Sequence, residues 1–151
     1  MPPCGDTIEN MELTSQQKKQ LMNIGKAHNL YFIILHGSYA TGKEYAGSDV
    51  DIALLGKTFL PFDEVLQIHG ELADIFGDSK ERELDLKTLH HIDPLFRYQV
   101  VRDGVLLYGN KRVYEEFKGY AFRDYMDSSD LRELQDLLLK KSIVALSQRY
   151  A

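Results

Sequence analysis

Residues 36–51 read His36-Gly37-Ser38-Tyr39-Ala40-Thr41-Gly42-Lys43-Glu44-Tyr45-Ala46-Gly47-Ser48-Asp49-Val50-Asp51. Apolar residues 31–35 precede this stretch and residues 52–55 follow it, which predicts two strands joined by a Gly-Ser turn and a short helix or loop. The second strand opens with Asp49 and Asp51, and residues two apart in a strand point to the same face. The two carboxylates are therefore expected to converge.

The residue types in this stretch predict a particular chemistry. Paired carboxylates suit Mg²⁺, because this ion takes oxygen ligands. Gly37 lets the backbone turn sharply and a ligand approach closely, and Ser38 can cap a helix whose free amides bind an anion. A phosphate site beside metal-binding carboxylates is what a nucleoside triphosphate requires.

The spacing of these residues carries a family resemblance. Gly37-Ser38, ten residues, then Asp49-Val50-Asp51 resembles the signature of the polymerase-beta-type nucleotidyltransferases, and in particular of the minimal nucleotidyltransferases. The resemblance implies a third acidic residue on a later strand, and Asp85 fits that place in the alternating run of residues 83–86. It also implies the fold class, an α/β (α+β) domain in which a small mixed sheet is flanked by helices and followed by C-terminal helices.

The resemblance assigns roles to these positions. Asp49, Asp51 and Asp85 are expected to be both the catalytic residues and the ligands of two Mg²⁺ ions. Gly37 and Ser38 are expected to hold the phosphates of the substrate, ATP. Many relatives carry Arg directly after Gly-Ser, whereas this chain has Tyr39. The sequence offers four basic residues that could make the missing phosphate contact: Lys43, Lys57, Arg82 and Lys87.

Length and composition limit the possibilities. The chain has 151 residues, which is enough for one domain. We expect a flexible tail over residues 1–12 and a single nucleotidyltransferase domain over 13–151, of which 111–151 form a helical extension. A net charge of −5 argues against broad nucleic-acid binding. The absence of an apolar run of membrane-spanning length, the polar N-terminus and the single Cys4 favour a cytoplasmic protein.

Periodicity and capping residues predict the elements around the site. Strands are expected at residues 31–35, 49–55, 82–86 and 105–108. Helices are expected from Thr14 to about Asn29, from Pro61 to Gly77, from Asp93-Pro94 to Gly104, and in two segments after Asn110. The pair His90-His91 invites a metal interpretation, but a solvated loop is the simpler one. The last helix is apolar nearly all round, so it is either deeply packed or a partner surface.

The resemblance also implies a biological role. Minimal nucleotidyltransferases pair with an HEPN-domain ribonuclease toxin, so this chain would be the antitoxin of a type VII pair and form a hetero-oligomer with that toxin. It would transfer AMP from ATP to a tyrosine of the toxin and release pyrophosphate. One alternative is an antitoxin that neutralises the toxin by steric cover without catalysis. Others are an enzyme acting on a small molecule such as an aminoglycoside, or nucleotide addition to RNA ends, which charge and size disfavour.

Overall fold

The computed structural model describes residues 13–42 and 49–150. Four strands and six helices follow one another along this part of the chain: α1 (Ser15–Ala27), β1 (Leu30–His36), α2 (Ser38–Thr41), β2 (Val50–Gly56), α3 (Phe62–Phe76), β3 (Leu84–Thr88), α4 (Pro94–Asp103), β4 (Val105–Tyr108), α5 (Lys111–Asp127) and α6 (Ser129–Arg149). The predicted tail over residues 1–12 lies outside the described residues. No described helix is long and apolar enough to cross a membrane.

The strands form one mixed sheet in the order β3-β2-β1-β4. β1 pairs antiparallel with both β2 and β4, whereas β2 and β3 run parallel. The parallel pair needs a crossover, which α3 supplies. This arrangement confirms the predicted fold class and puts β1 and β2, the strands on either side of the Gly-Ser stretch, at the centre of the sheet.

Two apolar layers cover the faces of the sheet. Side chains from α1 and α3 pack on one face against the largest buried cluster, and side chains from α4 and α5 pack on the other. Alternation along β1 divides the strand between these clusters, since Ile33 and Leu35 belong to the first and Phe32 and Ile34 to the second. His36 and Asp51 therefore share a face with the α4 and α5 layer.

One strand boundary was predicted wrongly. β3 covers Leu84–Thr88 rather than residues 82–86. Arg82 is held in a turn, because Ser79 and Arg82 exchange backbone hydrogen bonds of 3.0 and 3.3 Å. The Leu84 amide then donates to Asp78 Oδ1 at 3.2 Å, which starts the strand two residues later. The predicted alternation is confirmed, since Leu84 is buried and Asp85 is exposed.

The helix ends follow their capping residues. Thr14 caps α1 in a capping box with Gln17, and Asn29 has a left-handed φ of 53° just after it, both as predicted. His28, at the end of α1, lies 3.3 Å from Glu64 and 2.9 Å from Glu71 of α3. These polar contacts join the two helices that cover the first face of the sheet.

Tyr114 joins α5 to the end of α4, and its removal gives a testable effect. Its buried hydroxyl donates to the Val101 carbonyl at 2.9 Å, one of the carbonyls that a helix C-terminus leaves without an intrahelical partner. Tyr114→Phe is expected to lower the free energy of unfolding by about 1–2 kcal/mol, because that carbonyl loses its donor. Urea unfolding measures the change, with the half-exposed Tyr120→Phe as the control. An equal loss of unfolding free energy in both variants would show that the hydrogen bond from Tyr114 to Val101 does not stabilise the fold.

The packing of the final helix, α6, rules out one of the two interpretations that its sequence allowed. None of the residues of α6 is buried, so the expectation of a deeply packed C-terminal helix is wrong. Its contact with the rest of the protein is concentrated at its start, where Arg132 donates to the Tyr125 carbonyl and to Ser128 Oγ at 3.0 and 2.6 Å. The apolar residues beyond that point face outward.

Candidate active site

The sheet register brings the predicted acidic residues together. Asp51 on β2 pairs with His36 on β1 and, on its other side, with Asp85 on β3. Directly paired residues in neighbouring strands place their side chains on one face, about 5 Å apart between Cβ atoms. His36, Asp51 and Asp85 therefore form a row across three strands. Asp49 is exposed and lies one residue before β2 begins, so its side chain reaches the same end of the sheet.

The electrostatics of Asp51 show how close these carboxylates are. Burial raises the pKa of its carboxyl above the ordinary value, and the charges of Asp85 and Asp49 raise it further. Lys87 acts in the opposite direction. The ionised form of Asp51 is therefore disfavoured in the folded protein, as expected where several carboxylates share one site.

Gly37 is required by the position of Asp51. Its backbone has φ 74° and ψ −152°, a region that essentially only glycine adopts. A Cβ atom at this position would overlap the Asp51 carboxylate. The turn therefore brings the backbone against the carboxylate, where α2 begins with the half-buried Ser38. The phosphate-binding roles of Gly37 and Ser38 stay predictions.

His36 is part of the row, although its sequence position suggested no role. Its side chain is buried, and within the described residues its Nε2 has no hydrogen-bond partner. Burial lowers its pKa to about 4, so the imidazole is neutral at physiological pH. The ring packs edge-on against Phe96 at a centroid distance of 6.0 Å. The one sequence signal for this role was a histidine at the end of an apolar strand, directly before Gly37-Ser38.

The low pKa of His36 predicts that the stability of the protein depends on pH. Its pKa of about 4 in the folded state lies below the ordinary 6.5, so the unfolded chain binds the proton more tightly. Its contribution to stability is therefore complete above pH 6.5 and is lost as the pH falls toward 4, by on the order of 3 kcal/mol. Urea unfolding between pH 7.5 and 4.5 measures the loss.

Variants separate His36 from the carboxylates that titrate in the same range. His36→Gln is expected to flatten the pH dependence below pH 6.5 relative to the wild type. The control is His91→Asn, because His91 is exposed and Asn tolerates its positive φ of 51°. The pH assignment is wrong if His36→Gln and the wild type lose stability in parallel.

The basic residues near the site lie at different distances from the carboxylates. Lys87 Nζ lies 3.7 Å from Asp85 Oδ2 and 5.1 Å from the centre of the Phe96 ring. The Arg82 guanidinium lies over the Tyr39 ring at 5.2 Å, so a cation stands next to the position where many relatives carry Arg. Lys57 instead lies over Tyr31, at the opposite end of β1, and Lys43 lies outside the described residues.

The acidic side chains fit a hard cation by donor type. Asp49 and Asp85 both raise the pKa of Asp51. Together the three side chains provide the carboxylate oxygens and the negative charge that Mg²⁺ prefers. Within residues 13–42 and 49–150, however, no group of three or more His, Cys, Asp or Glu side chains is already arranged to hold a metal ion. Asp85 is engaged by Lys87 instead. The metal-binding and catalytic roles of Asp49, Asp51 and Asp85 stay predictions.

Two other features lie apart from the carboxylates. His90 accepts a hydrogen bond from the Gly56 amide through Nε2 at 3.2 Å, so it is a partner of the β2 backbone rather than a simply solvated residue. A cavity of about 620 Å³ opens beside the first residues of β1 and along β4, lined by Leu30, Tyr31 and Tyr108 among others. This cavity lies at the far end of β1 from His36 and the carboxylates.

Known proteins resemble this chain along most of its length. Residues 19–113 match the family described as polymerase beta, nucleotidyltransferase. The protein adenylyltransferase MntA of Shewanella oneidensis is 33% identical over 88 residues, which are 58% of this chain and 60% of that protein. The protein of the same name from Aphanizomenon flos-aquae is 27% identical over 124 residues, 74% of this chain and 77% of that protein. The chain thus spans about 60% of the length of the first relative.

Solved structures share the fold. A crystal structure of a toxin-antitoxin with AMP-PNP has a TM-score of 0.65 at 23% identity, covering 81% of this chain and 98% of that chain. A structure of a tri-AMPylated Shewanella oneidensis HEPN toxin in complex with MNT antitoxin has a TM-score of 0.61 at 21% identity, covering 84% and 99%. The family match spans well over half of the chain and includes the Gly-Ser turn and all three carboxylates. The chain belongs to the polymerase beta nucleotidyltransferase family.

Proposed function

We propose that this chain is a protein adenylyltransferase and antitoxin that transfers AMP from ATP to a tyrosine of an HEPN-domain toxin. The observation that carries the proposal is the register of Asp51 with Asp85, next to a glycine turn that touches the Asp51 carboxylate. The names of the two MntA relatives support the choice of reaction. The HEPN toxin bound to a structural relative supports the choice of partner. The proposal places the protein in the cytoplasm, with its ATP.

Each residue of the site has a part in the proposed reaction. Asp49, Asp51 and Asp85 would hold Mg²⁺, in two sites if Asp85 leaves Lys87 to join the second ion. Bound there, Mg²⁺ would offset the charge of the phosphates and lower the pKa of the attacking hydroxyl. Gly37, whose backbone lies against the Asp51 carboxylate, and Ser38, with a hydroxyl at the start of α2, would bind the phosphates.

The proposed transfer forms one phosphorus–oxygen bond and breaks another. The tyrosine oxygen of the acceptor bonds to the α-phosphorus of ATP, and the bond from that phosphorus to the bridging oxygen of pyrophosphate breaks. Asp85 would accept the proton of the tyrosine hydroxyl as a general base. Arg82, whose guanidinium lies over the Tyr39 ring, would contact the phosphates in place of the arginine that many relatives carry. The products are an AMP-tyrosine and pyrophosphate.

The test is a mass measurement on the partner. The purified chain, ATP and Mg²⁺ are mixed with the HEPN protein encoded beside it, and a gain of one or more AMP units on a tyrosine is expected. Replacing Mg²⁺ with EDTA is expected to abolish the gain. The Asp49→Asn/Asp51→Asn double variant is expected to add no AMP and to leave the toxin's RNase active.

Each alternative has its own outcome in the same experiment. A double variant that still binds and silences the toxin would contradict the catalytic proposal and favour an antitoxin acting by steric cover. AMP transfer to an aminoglycoside in the absence of any protein acceptor would favour a small-molecule enzyme. The catalytic proposal expects neither result.

A further inference from the structure

Helix α6 is almost entirely exposed although it is rich in large apolar residues. Between 50 and 60% of the surface of each of eight such side chains is accessible: Leu131, Leu134, Leu137, Leu138, Leu139, Ile143, Val144 and Leu146. No residue of the helix is buried. A continuous apolar surface of this kind on a folded protein marks a site of association.

The helix also lacks support of its own. Its described contacts with α5 centre on Arg132, which lies over the Tyr125 ring at 4.1 Å and binds the end of α5. The rest of the 21-residue helix extends beyond that anchor. Most helical stability in proteins comes from packing an apolar face rather than from intrinsic propensity. α6 lies outside residues 19–113, the part that matches the family, so the catalytic unit does not account for it.

The charges of α6 are divided between its two halves. The first half, up to Leu138, carries three acidic residues and one basic residue: Asp130, Glu133, Asp136 and Arg132. The charged residues of the second half are all basic: Lys140, Lys141 and Arg149. A second copy of this helix in the antiparallel direction would place the acidic half of each against the basic half of the other. A parallel copy would place like charges together.

We propose that two copies of this chain associate through α6, as an antiparallel helix pair with two-fold symmetry. The helix is about 30 Å long, so the pair offers a seam of that length. Crossing between Leu138 and Leu139 brings Asp136 of each copy to the same height as Lys141 of the other, and Glu133 lies within one helical turn of that lysine. The antiparallel direction also sets each helix N-terminus beside a C-terminus, where the two helix dipoles attract. The two-fold axis makes the interface self-complementary.

Charge-swap variants test the pairing and its direction. In the first variant, Lys140→Glu/Lys141→Glu, both halves are acidic. In the second, Glu133→Lys/Asp136→Lys, both halves are basic. Sedimentation equilibrium of the full chain is expected to give twice the 17.3 kDa chain mass for the wild type. Each variant alone is expected to dissociate at least tenfold more readily, and an equimolar mixture of the two is expected to recover the dimer.

Controls keep the result interpretable. Lys18→Glu/Lys19→Glu makes the same charge change on exposed residues of α1 and is expected to leave the dimer intact. Leu138→Asp places a charge at the crossing point and is expected to give monomers whose melting temperature no longer depends on protein concentration, because that side chain is exposed in the single chain and would be covered only by the second copy.

Three results would overturn the proposal. One is a wild-type chain that stays monomeric at 100 µM. Another is a dimer that neither charge swap weakens, or a mixture that does not recover it. The third is protection of α6 from hydrogen exchange only when the HEPN protein is added, which would assign the surface to that partner. AMP transfer is measured separately, so the catalytic proposal stands or fails independently.

Discussion

The Asp51→Asn variant is expected to transfer AMP roughly 10³-fold more slowly than the wild type and yet to unfold at a higher temperature. The rate is expected to fall because the proposed Mg²⁺ site would lose a charged oxygen at the centre of the row His36, Asp51 and Asp85. Stability rises because the pKa of Asp51 is raised by burial and by its two acidic neighbours, so its ionised form is a cost to the folded state. The neutral amide of Asn removes that cost.

The sign of this effect follows from the direction of the pKa shift. A carboxyl whose pKa is higher in the folded than in the unfolded state loses stability as the pH rises through that interval. At pH 7 the cost of Asp51 is therefore fully present, and the gain from Asn is largest there. Below the ordinary pKa of 3.8 the two proteins should converge.

Melting curves with EDTA and with Mg²⁺ separate the intrinsic stability of the Asp51→Asn variant from its expected loss of Mg²⁺ binding. Mg²⁺ is expected to raise the melting temperature of the wild type more than that of Asp51→Asn, since a ligand stabilises the state that binds it. Asp74→Asn, on the exposed side of α3, is the matched control and is expected to change neither quantity. A lower melting temperature for Asp51→Asn would mean that the carboxylate accepts a structural hydrogen bond instead.

The parts of the site that were predicted depend on local spacing. Asp49 and Asp51 are two residues apart at a strand start, and Leu84 and Asp85 alternate in a short run, so both patterns show in the sequence. The register that sets Asp51 beside Asp85 is a tertiary property, because α3 lies between the two strands. The family resemblance, rather than periodicity, supplied that pairing.

The parts that were missed depend on contacts between distant residues. His36 gains its place from antiparallel pairing with Asp51, and no local pattern shows which strand lies opposite. The start of β3 was misplaced because the alternation of residues 83–86 was extended back to Arg82, whereas a turn between Ser79 and Arg82 holds that residue. For α6, composition shows an apolar helix but not what covers it.

Gly37→Ala is expected to reduce AMP transfer about 100-fold and to lower the free energy of unfolding by about 1–3 kcal/mol. Two causes act together, since Ala disfavours the backbone at φ 74° and ψ −152° and its Cβ overlaps the Asp51 carboxylate. The overlap turns Asp51 away from the site or moves the turn that begins α2. Stopped assays with the acceptor protein and urea unfolding measure the two effects.

A second glycine and a double variant separate these causes. Gly42 also has a positive φ, 72°, but a Cβ there meets no atom of the described residues within 4 Å, so Gly42→Ala should cost stability with little loss of rate. Asp51→Ala removes the carboxylate, and adding Gly37→Ala to it leaves only the backbone strain. The destabilisation by Gly37→Ala is therefore expected to be smaller in the Asp51→Ala background, a coupling that a double-mutant cycle measures. Equal destabilisation in both backgrounds would show that Gly37 serves the backbone alone, and that its closeness to Asp51 does not determine the residue at this position.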